Sequence, residues 1–171
     1  MRKPSPWHGS VPTGNDQLPP GAVGMVVGVD GSAAGRRALR WALREALRRR
    51  CRLEVVHCWY SRTTEGTPVA VISLRDLRSD SEGMLRGEIA AVSRRFPALP
   101  ALTLTSAHGR PVPTLVAASE RAQLLVVGAR ARSGSGFEVA DGCVRHAHCP
   151  VVVVDRSGYR ESDPPAPAST G

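Results

Sequence analysis

Five short apolar runs recur along the chain, and each has the length of a β-strand. The first and fourth contain a glycine at their end, as Met-Val-Val-Gly-Val-Asp-Gly-Ser at residues 25–32 and Leu-Leu-Val-Val-Gly-Ala-Arg at residues 124–130. The other three span residues 53–59, 102–107 and 151–154. Near-continuous apolar runs are typical of parallel strands that are buried on both faces. The pattern therefore predicts a sheet of five parallel strands.

Segments with a helical repeat separate these runs. After the first strand, apolar side chains recur at spacings of three and four, at Ala34, Ala38, Trp41, Ala42, Leu43 and Leu47. A weaker stripe predicts a second helix before Pro97, with Leu74, Leu77, Ser81, Leu85, Ile89, Val92 and Phe96 on one face. Pro111 and Pro113 fit the first turn of a third helix, and a fourth must fit between Phe137 and His148. The alternation predicts a single-domain α/β fold, a doubly wound three-layer sandwich with helices on both faces of the sheet.

Composition bounds the folded unit. The chain has 171 residues and is 42% hydrophobic, which suits one domain with a substantial core. Prolines and small polar residues crowd both ends, so we expect disordered tails at residues 1–22 and 157–171 around a domain at residues 23–156. No run approaches the roughly 20 apolar residues of a membrane span or the apolar segment of a secretory signal. We therefore expect a cytoplasmic protein without a membrane partner.

The net charge of +8 comes almost entirely from arginine, since Lys3 is the only lysine. The arginines are spread along the predicted helices, without an aromatic-plus-basic motif or a helix-turn-helix pattern. This distribution favours a solvated basic surface, and we expect no specific nucleic-acid partner.

The glycine-containing strand ends place candidate ligand contacts at the carboxyl edge of the sheet. Gly28 lacks a Cβ and so permits close approach by a base or by a crossing backbone. Asp30 can accept hydrogen bonds from ribose hydroxyls or cap the next helix, a role that the serine two residues later fits equally. The loop at residues 128–136 holds three glycines, and its amides, with Arg130 and Arg132, could face phosphate. A flexible surface loop is the alternative, since the segment matches neither the P-loop nor the Rossmann fingerprint.

Six motifs follow one another along residues 23–156. They read V-V-G-V-D-G-S from residue 26, A-L-R-W-A-L-R-E-A from residue 38, L-E-V-V-H-C-W from residue 53, G-R-P from residue 109, L-L-V-V-G-A-R from residue 124 and H-C-P-V-V-V-V from residue 148. In this order they resemble the universal stress protein family, especially its actinobacterial members. The resemblance implies a five-stranded parallel sheet with strand order 3-2-1-4-5 and a homodimer. It also implies two classes of member, those that bind ATP and those that do not.

The resemblance further implies where an adenine nucleotide would bind. The matching positions are Gly28, Asp30, Val56, His57, Gly128, Ala129, Arg130, Ala131, Arg132, Ser133, Gly134, Gly142 and Cys143. ATP-binding members carry G-x2-G-x9-G-[S/T] after the fourth strand. Here Ala131 replaces the second glycine and Asp141 the third, so that Gly142 and Cys143 are a shifted match. ATP binding and its loss therefore both stay open.

The sequence predicts neither a catalytic constellation nor a metal site. His57 and Cys58 are adjacent on a strand and so point to opposite faces. His146, His148 and Cys149 match no standard zinc spacing. We predict a stress-response regulator that binds ATP or another adenine nucleotide without dedicated catalysis, together with an unidentified protein partner. The alternatives are a nucleotide-independent interaction protein and a weak ATPase.

The last predicted strand bears on assembly. Residues Val151–Val154 are all valine, which is too apolar for a bare sheet edge. We therefore expect this strand to pair with its copy in a homodimer.

Overall fold

The computed structural model describes residues 23–60, 73–129 and 135–164, with the backbone alone for residues 135–137. The elements in chain order are β1 (Val23–Val29), α1 (Ala33–Arg49), β2 (Leu53–Trp59), α2 (Leu74–Ser93), β3 (Leu102–His108), α3 (Pro111–Ser119), β4 (Ala122–Gly128), α4 (Ser135–His146), β5 (Val151–Val154) and β6 (Tyr159–Ser162). The predicted α/β fold is confirmed, with five strands and four helices in the expected order.

One sheet runs through the molecule in the order β3-β2-β1-β4-β5-β6. The first five strands are parallel, as predicted, and β6 is antiparallel to β5. From β1 the chain builds outward to β2 and β3 on one side, and it returns to place β4 and β5 on the other. The carboxyl ends of β1 and β4 therefore flank the point where the strand order reverses, which is where open α/β sheets bind ligands.

Alternate side chains of the strands supply two separate cores. Met25, Val27 and Leu53 pack with the buried faces of α1 and α2. Val26 and Leu125, on the other face, pack with residues of α3 and α4. Helices cover both faces, which is why the strands are apolar without alternation.

The second helix departs from its predicted stripe. α2 ends at Ser93, three residues before Phe96, and Arg94 follows as its C-cap. Its buried positions are Ser81, Leu85, Glu88 and Val92, so that Glu88 is buried where the sequence pattern placed Ile89. Two of the four buried residues are polar, and they lie close to the carboxyl edge of the sheet.

The prediction of a disordered tail from residue 157 is wrong for the described part of that segment, because β6 pairs with β5 along its whole length. The Asp155 carboxylate accepts hydrogen bonds from the backbone N–H groups of Ser157 (2.7 Å) and Gly158 (3.0 Å), which closes the hairpin turn. The ring of Tyr159 then packs against Trp41 of α1, with ring centroids 5.1 Å apart. β5 is therefore not a bare edge, and the reason given for a homodimer through that strand does not hold.

Other predictions fall outside the described residues. They concern the tails at residues 1–22 and 165–171 and the glycine-loop residues 130–134. Among the helices that the structure does describe, none has the length and apolarity needed to cross a bilayer.

Candidate functional site

The turn between β1 and α1 is held by a short chain of hydrogen bonds. Oδ1 of Asp30 accepts from the backbone N–H of Ser32 at 3.0 Å and from its hydroxyl at 2.5 Å. Oγ of Ser32 accepts in turn from the N–H of Gly35 at 3.0 Å and so caps α1. Gly31 has a φ of 73°, a conformation that glycine adopts without strain. Of the two residues that could cap the helix, Ser32 is the cap, and Asp30 fixes the orientation of Ser32.

Gly128 brings the end of β4 against this turn. A Cβ at this position would lie 2.5 Å from the carbonyl oxygen of Ala34 and 3.0 Å from the backbone nitrogen of Gly35. Only glycine allows the first turn of α1 to pass so close. The next residue, Ala129, is buried and donates its N–H to the carbonyl of Val154 at 2.9 Å. The segment that follows, Arg130 to Gly134, lies outside the described residues.

The space above Gly28 is filled by protein. A Cβ there would lie 2.9 Å from Cδ1 of Leu115, so the missing side chain lets α3 pack on β1. In the structure, the packing of the Leu115 side chain accounts for the glycine at position 28.

The predicted contacts on β2 face opposite sides of the sheet. Val56 is 2% exposed and packs in the α3 and α4 layer. His57 is half-buried, and its Nδ1 lies 2.8 Å from the hydroxyl oxygen of Ser81 on α2. Burial lowers the pKa of His57, and the nearby carboxylate of Asp30 opposes this shift. The two side chains therefore face different layers, whereas the contact that the family resemblance implies, between adenine and the backbone of β2, does not depend on these directions and stays a prediction.

Gly142 and Cys143 lie inside α4, away from the strand ends. A Cβ on Gly142 would come within 2.9 Å of two methyl carbons of Val112, so this glycine lets α4 approach α3. Cys143 has no exposed surface, and burial raises the pKa of its thiol to about 12. Helix packing thus accounts for both residues.

The histidine and cysteine cluster at the end of α4 is divided between surface and core. Cys149 is 5% exposed, whereas the exposed ring of His148 lies 3.5 Å from a carboxylate oxygen of Glu120. Within residues 23–60, 73–129 and 135–164, no three His, Cys, Asp or Glu side chains are grouped so as to hold a metal ion.

Two ion pairs with a buried carboxylate and a partly exposed arginine were not predicted. Nε of Arg36 lies 3.0 Å from Oε1 of Glu88, and an Nη2 of Arg121 lies 2.8 Å from Oε2 of Glu54. Both pairs join residues more than 50 positions apart in the chain. The only sequence signal was a charged residue within an otherwise apolar stripe or strand, which does not identify the partner.

These elements lie in a known structural context. A sequence model of the universal stress protein family matches residues 25–155, which begin within β1 and end one residue after β5. The chain belongs to the universal stress protein family.

Curated universal stress proteins from mycobacteria are similar to this chain. A universal stress protein of Mycobacterium tuberculosis strain H37Rv is 32% identical over 144 residues, which cover 78% of this chain and 48% of the relative. Another, from Mycobacterium bovis, is 29% identical over 168 residues, which cover 87% of this chain and 53% of the relative. The chain spans about half the length of the curated relatives it matches.

Solved structures of universal stress proteins share the fold. One, in complex with cAMP, superposes with a TM-score of 0.60 at 20% identity and covers 78% of this chain and 98% of its own. The protein from Archaeoglobus fulgidus in complex with dAMP gives 0.56 at 24% identity, covering 76% and 95%. The Arabidopsis thaliana protein with AMP bound gives 0.53 at 22% identity, covering 78% and 92%.

Proposed function

We propose that this universal stress protein binds an adenine nucleotide, with ATP as the candidate ligand, and acts as a regulator without dedicated catalysis. The observation that carries the proposal is the contact between the β1–α1 turn and the end of β4. It brings Asp30 and the start of the glycine loop together where the strand order reverses. The family relatives whose structures contain cAMP, dAMP and AMP support an adenine nucleotide as the ligand class.

The β1–α1 turn supplies chemistry suited to a nucleotide. A carboxylate at a strand end can accept hydrogen bonds from ribose hydroxyls, and Asp30 is held in place through Ser32. The backbone N–H groups at the start of α1 add the partial positive charge of a helix N-terminus to the same edge. Such an arrangement is suited to binding and orienting a ligand.

A nucleotide-independent interaction protein is the alternative, and one observation favours it. The motif of ATP-binding members has glycine where this chain has Ala131 and Asp141. Both glycines would have to be dispensable for ATP to bind with ordinary affinity. A weak ATPase is distinguished from both by phosphate release during incubation with ATP, which we expect not to exceed the rate of buffer alone.

Calorimetric titration with ATP, AMP and adenosine tests the proposal. We expect Asp30→Asn to weaken binding about tenfold, because the amide keeps an oxygen for the Ser32 N–H but loses the charge that strengthens ribose hydrogen bonds. Asp155→Asn is the matched control, since the Asp155 carboxylate also accepts hydrogen bonds within the turn that follows a strand, here from two backbone N–H groups. Ala131→Gly should raise ATP affinity by restoring the motif glycine. If neither the wild-type protein nor Ala131→Gly binds any of the three ligands, nucleotide binding is rejected and the interaction protein is favoured.

A further inference from the structure

The buried face of α2 is unusually polar for a helix that covers a sheet. Ser81 is 2% exposed and Glu88 6% exposed, and they alternate with Leu85 and Val92. Burying a hydroxyl or a carboxylate costs free energy unless it finds a partner. Both residues have a partner near the carboxyl edge of the sheet: Ser81 contacts His57 of β2, and Glu88 contacts Arg36 at the start of α1.

One arginine joins α2 to the β1–α1 turn. Nε of Arg36 lies 3.0 Å from Oε1 of Glu88, and its Nη2 donates to the carbonyl oxygen of Gly31 at 3.0 Å. Met84 of α2 lies against the same glycine, 3.9 Å from where a Cβ would stand. The planar guanidinium contacts two elements at once through different nitrogens, which a lysine ammonium does not reproduce.

Arg36 compensates the negative charge of the buried Glu88 carboxylate. Its second oxygen, Oε2, is buried and has no hydrogen-bond partner in the described part of the chain. The Glu88 side chain is 8% exposed and that of Arg36 is 43% exposed, so the cost of breaking the pair falls on the buried carboxylate, and the pair favours the docked position of Arg36. The Arg78–Glu82 pair on the same helix is different, because its carboxylate side chain is 40% exposed and water compensates the charge.

A second contact ties α2 to the end of β2. Trp59 Nε1 donates to the hydroxyl oxygen of Ser106, and that hydroxyl donates to Ser81 at 2.7 Å. The Ser81 hydroxyl is thereby left to donate to Nδ1 of His57, an assignment made from the hydrogen-bond network. Helix α2 is thus anchored on β2 and β3, and β2 is the strand that pairs with β1 beside the Asp30 turn.

We propose that Arg36 and Glu88 are positioning residues for the nucleotide site, acting through the carbonyl of Gly31 to hold the Asp30 turn in its binding conformation. The proposal rests on the proposed function for its ligand. The docking of α2 against the β1–α1 turn and the affinity of the protein for nucleotide are then coupled, because both depend on the conformation of the same turn.

The test compares Glu88→Gln and Arg36→Lys with Glu82→Gln, a matched change at the exposed pair on the same helix. Amide hydrogen exchange of Gly31, Ser32 and the inner face of α2 is measured first in the nucleotide-free protein. We expect faster exchange at these amides in the first two variants only. Calorimetry should then give ATP or AMP binding about fivefold weaker in the same two variants and unchanged in Glu82→Gln.

Three outcomes decide the matter. Equal exchange and equal affinity in Glu88→Gln and Glu82→Gln would overturn the proposal. If Glu88→Gln loosens the whole domain, Arg36→Lys is decisive, because it keeps a cation beside Glu88 and removes only the bridge to Gly31. A wild-type protein that binds no adenine nucleotide would reject the proposed function, while exchange at Gly31 and Ser32 would still show whether the pair holds the turn.

Discussion

At the scale of single residues, the glycines of this chain carry more information about packing than about ligands. Gly28 makes room for Leu115 and Gly142 makes room for Val112. Gly128 lets the backbone of α1 pass the end of β4. From sequence alone, a glycine at a strand end predicts a close approach, but it does not identify what approaches. In the structure, the approaching groups are a side chain at Gly28 and at Gly142 and the backbone of α1 at Gly128.

Gly128 gives a direct test of this interpretation. We expect Gly128→Ala to lower the free energy of unfolding by about 1–3 kcal/mol, because its Cβ would meet backbone atoms of Ala34 that cannot rotate away. Thermal unfolding followed by circular dichroism measures the effect. Gly87→Ala is the control, since a Cβ at this exposed helical position meets nothing within 4 Å and should stabilise α2 by up to about 1 kcal/mol. Equal unfolding temperatures for the two variants would contradict the packing role of Gly128.

At the scale of elements, hydrophobic periodicity predicts the strands and helices that bury apolar side chains, and it misses polar strands and buried polar positions. It finds β1 to β5 and four helices, because each buries an apolar run or stripe. It misses β6, whose Tyr-Arg-Glu-Ser sequence is short and mostly exposed. It also misplaces the inner face of α2, since Glu88 is buried through Arg36, a residue 52 positions away. Such pairings depend on the fold and have no local signature.

The contact of α2 with β2 predicts a pH dependence of stability. Burial lowers the pKa of His57 in the folded protein below its unfolded value of about 6.5, so the unfolded state binds more protons at mildly acidic pH. The contribution of His57 to stability is complete above that value and is lost as the pH falls through it towards the folded pKa. Urea unfolding between neutral and mildly acidic pH measures this loss, and His57→Asn should remove it. An NMR titration that places the pKa of His57 at or above 6.5 would contradict the prediction.

At the scale of the whole molecule, the chain itself covers the sheet edge at β5. β5 would expose the backbone N–H and C=O groups of an all-valine strand if nothing paired with it, and β6 satisfies them within the same chain. The outer edge is then formed by a short polar strand that includes Arg160 and Glu161, residues that discourage further strand pairing. The expectation that a second copy pairs with β5 rested on the apolar character of that strand as a sheet edge, and in the structure β6 of the same chain pairs with it instead.

The consequence is a prediction about assembly. Removing residues 157–171 should uncover β5 and cause the domain to associate through that edge, because four unpaired valines form a ready template for another strand. Removing only residues 165–171 keeps β6 and should leave the oligomeric state of the 171-residue chain unchanged. Size-exclusion chromatography with light scattering compares the three proteins, and circular dichroism establishes that each is folded. The covering role of β6 is wrong if the protein without residues 157–171 keeps its helical and strand content yet has the same oligomeric state as the other two. The short hairpin would then contribute only the contact of Tyr159 with Trp41.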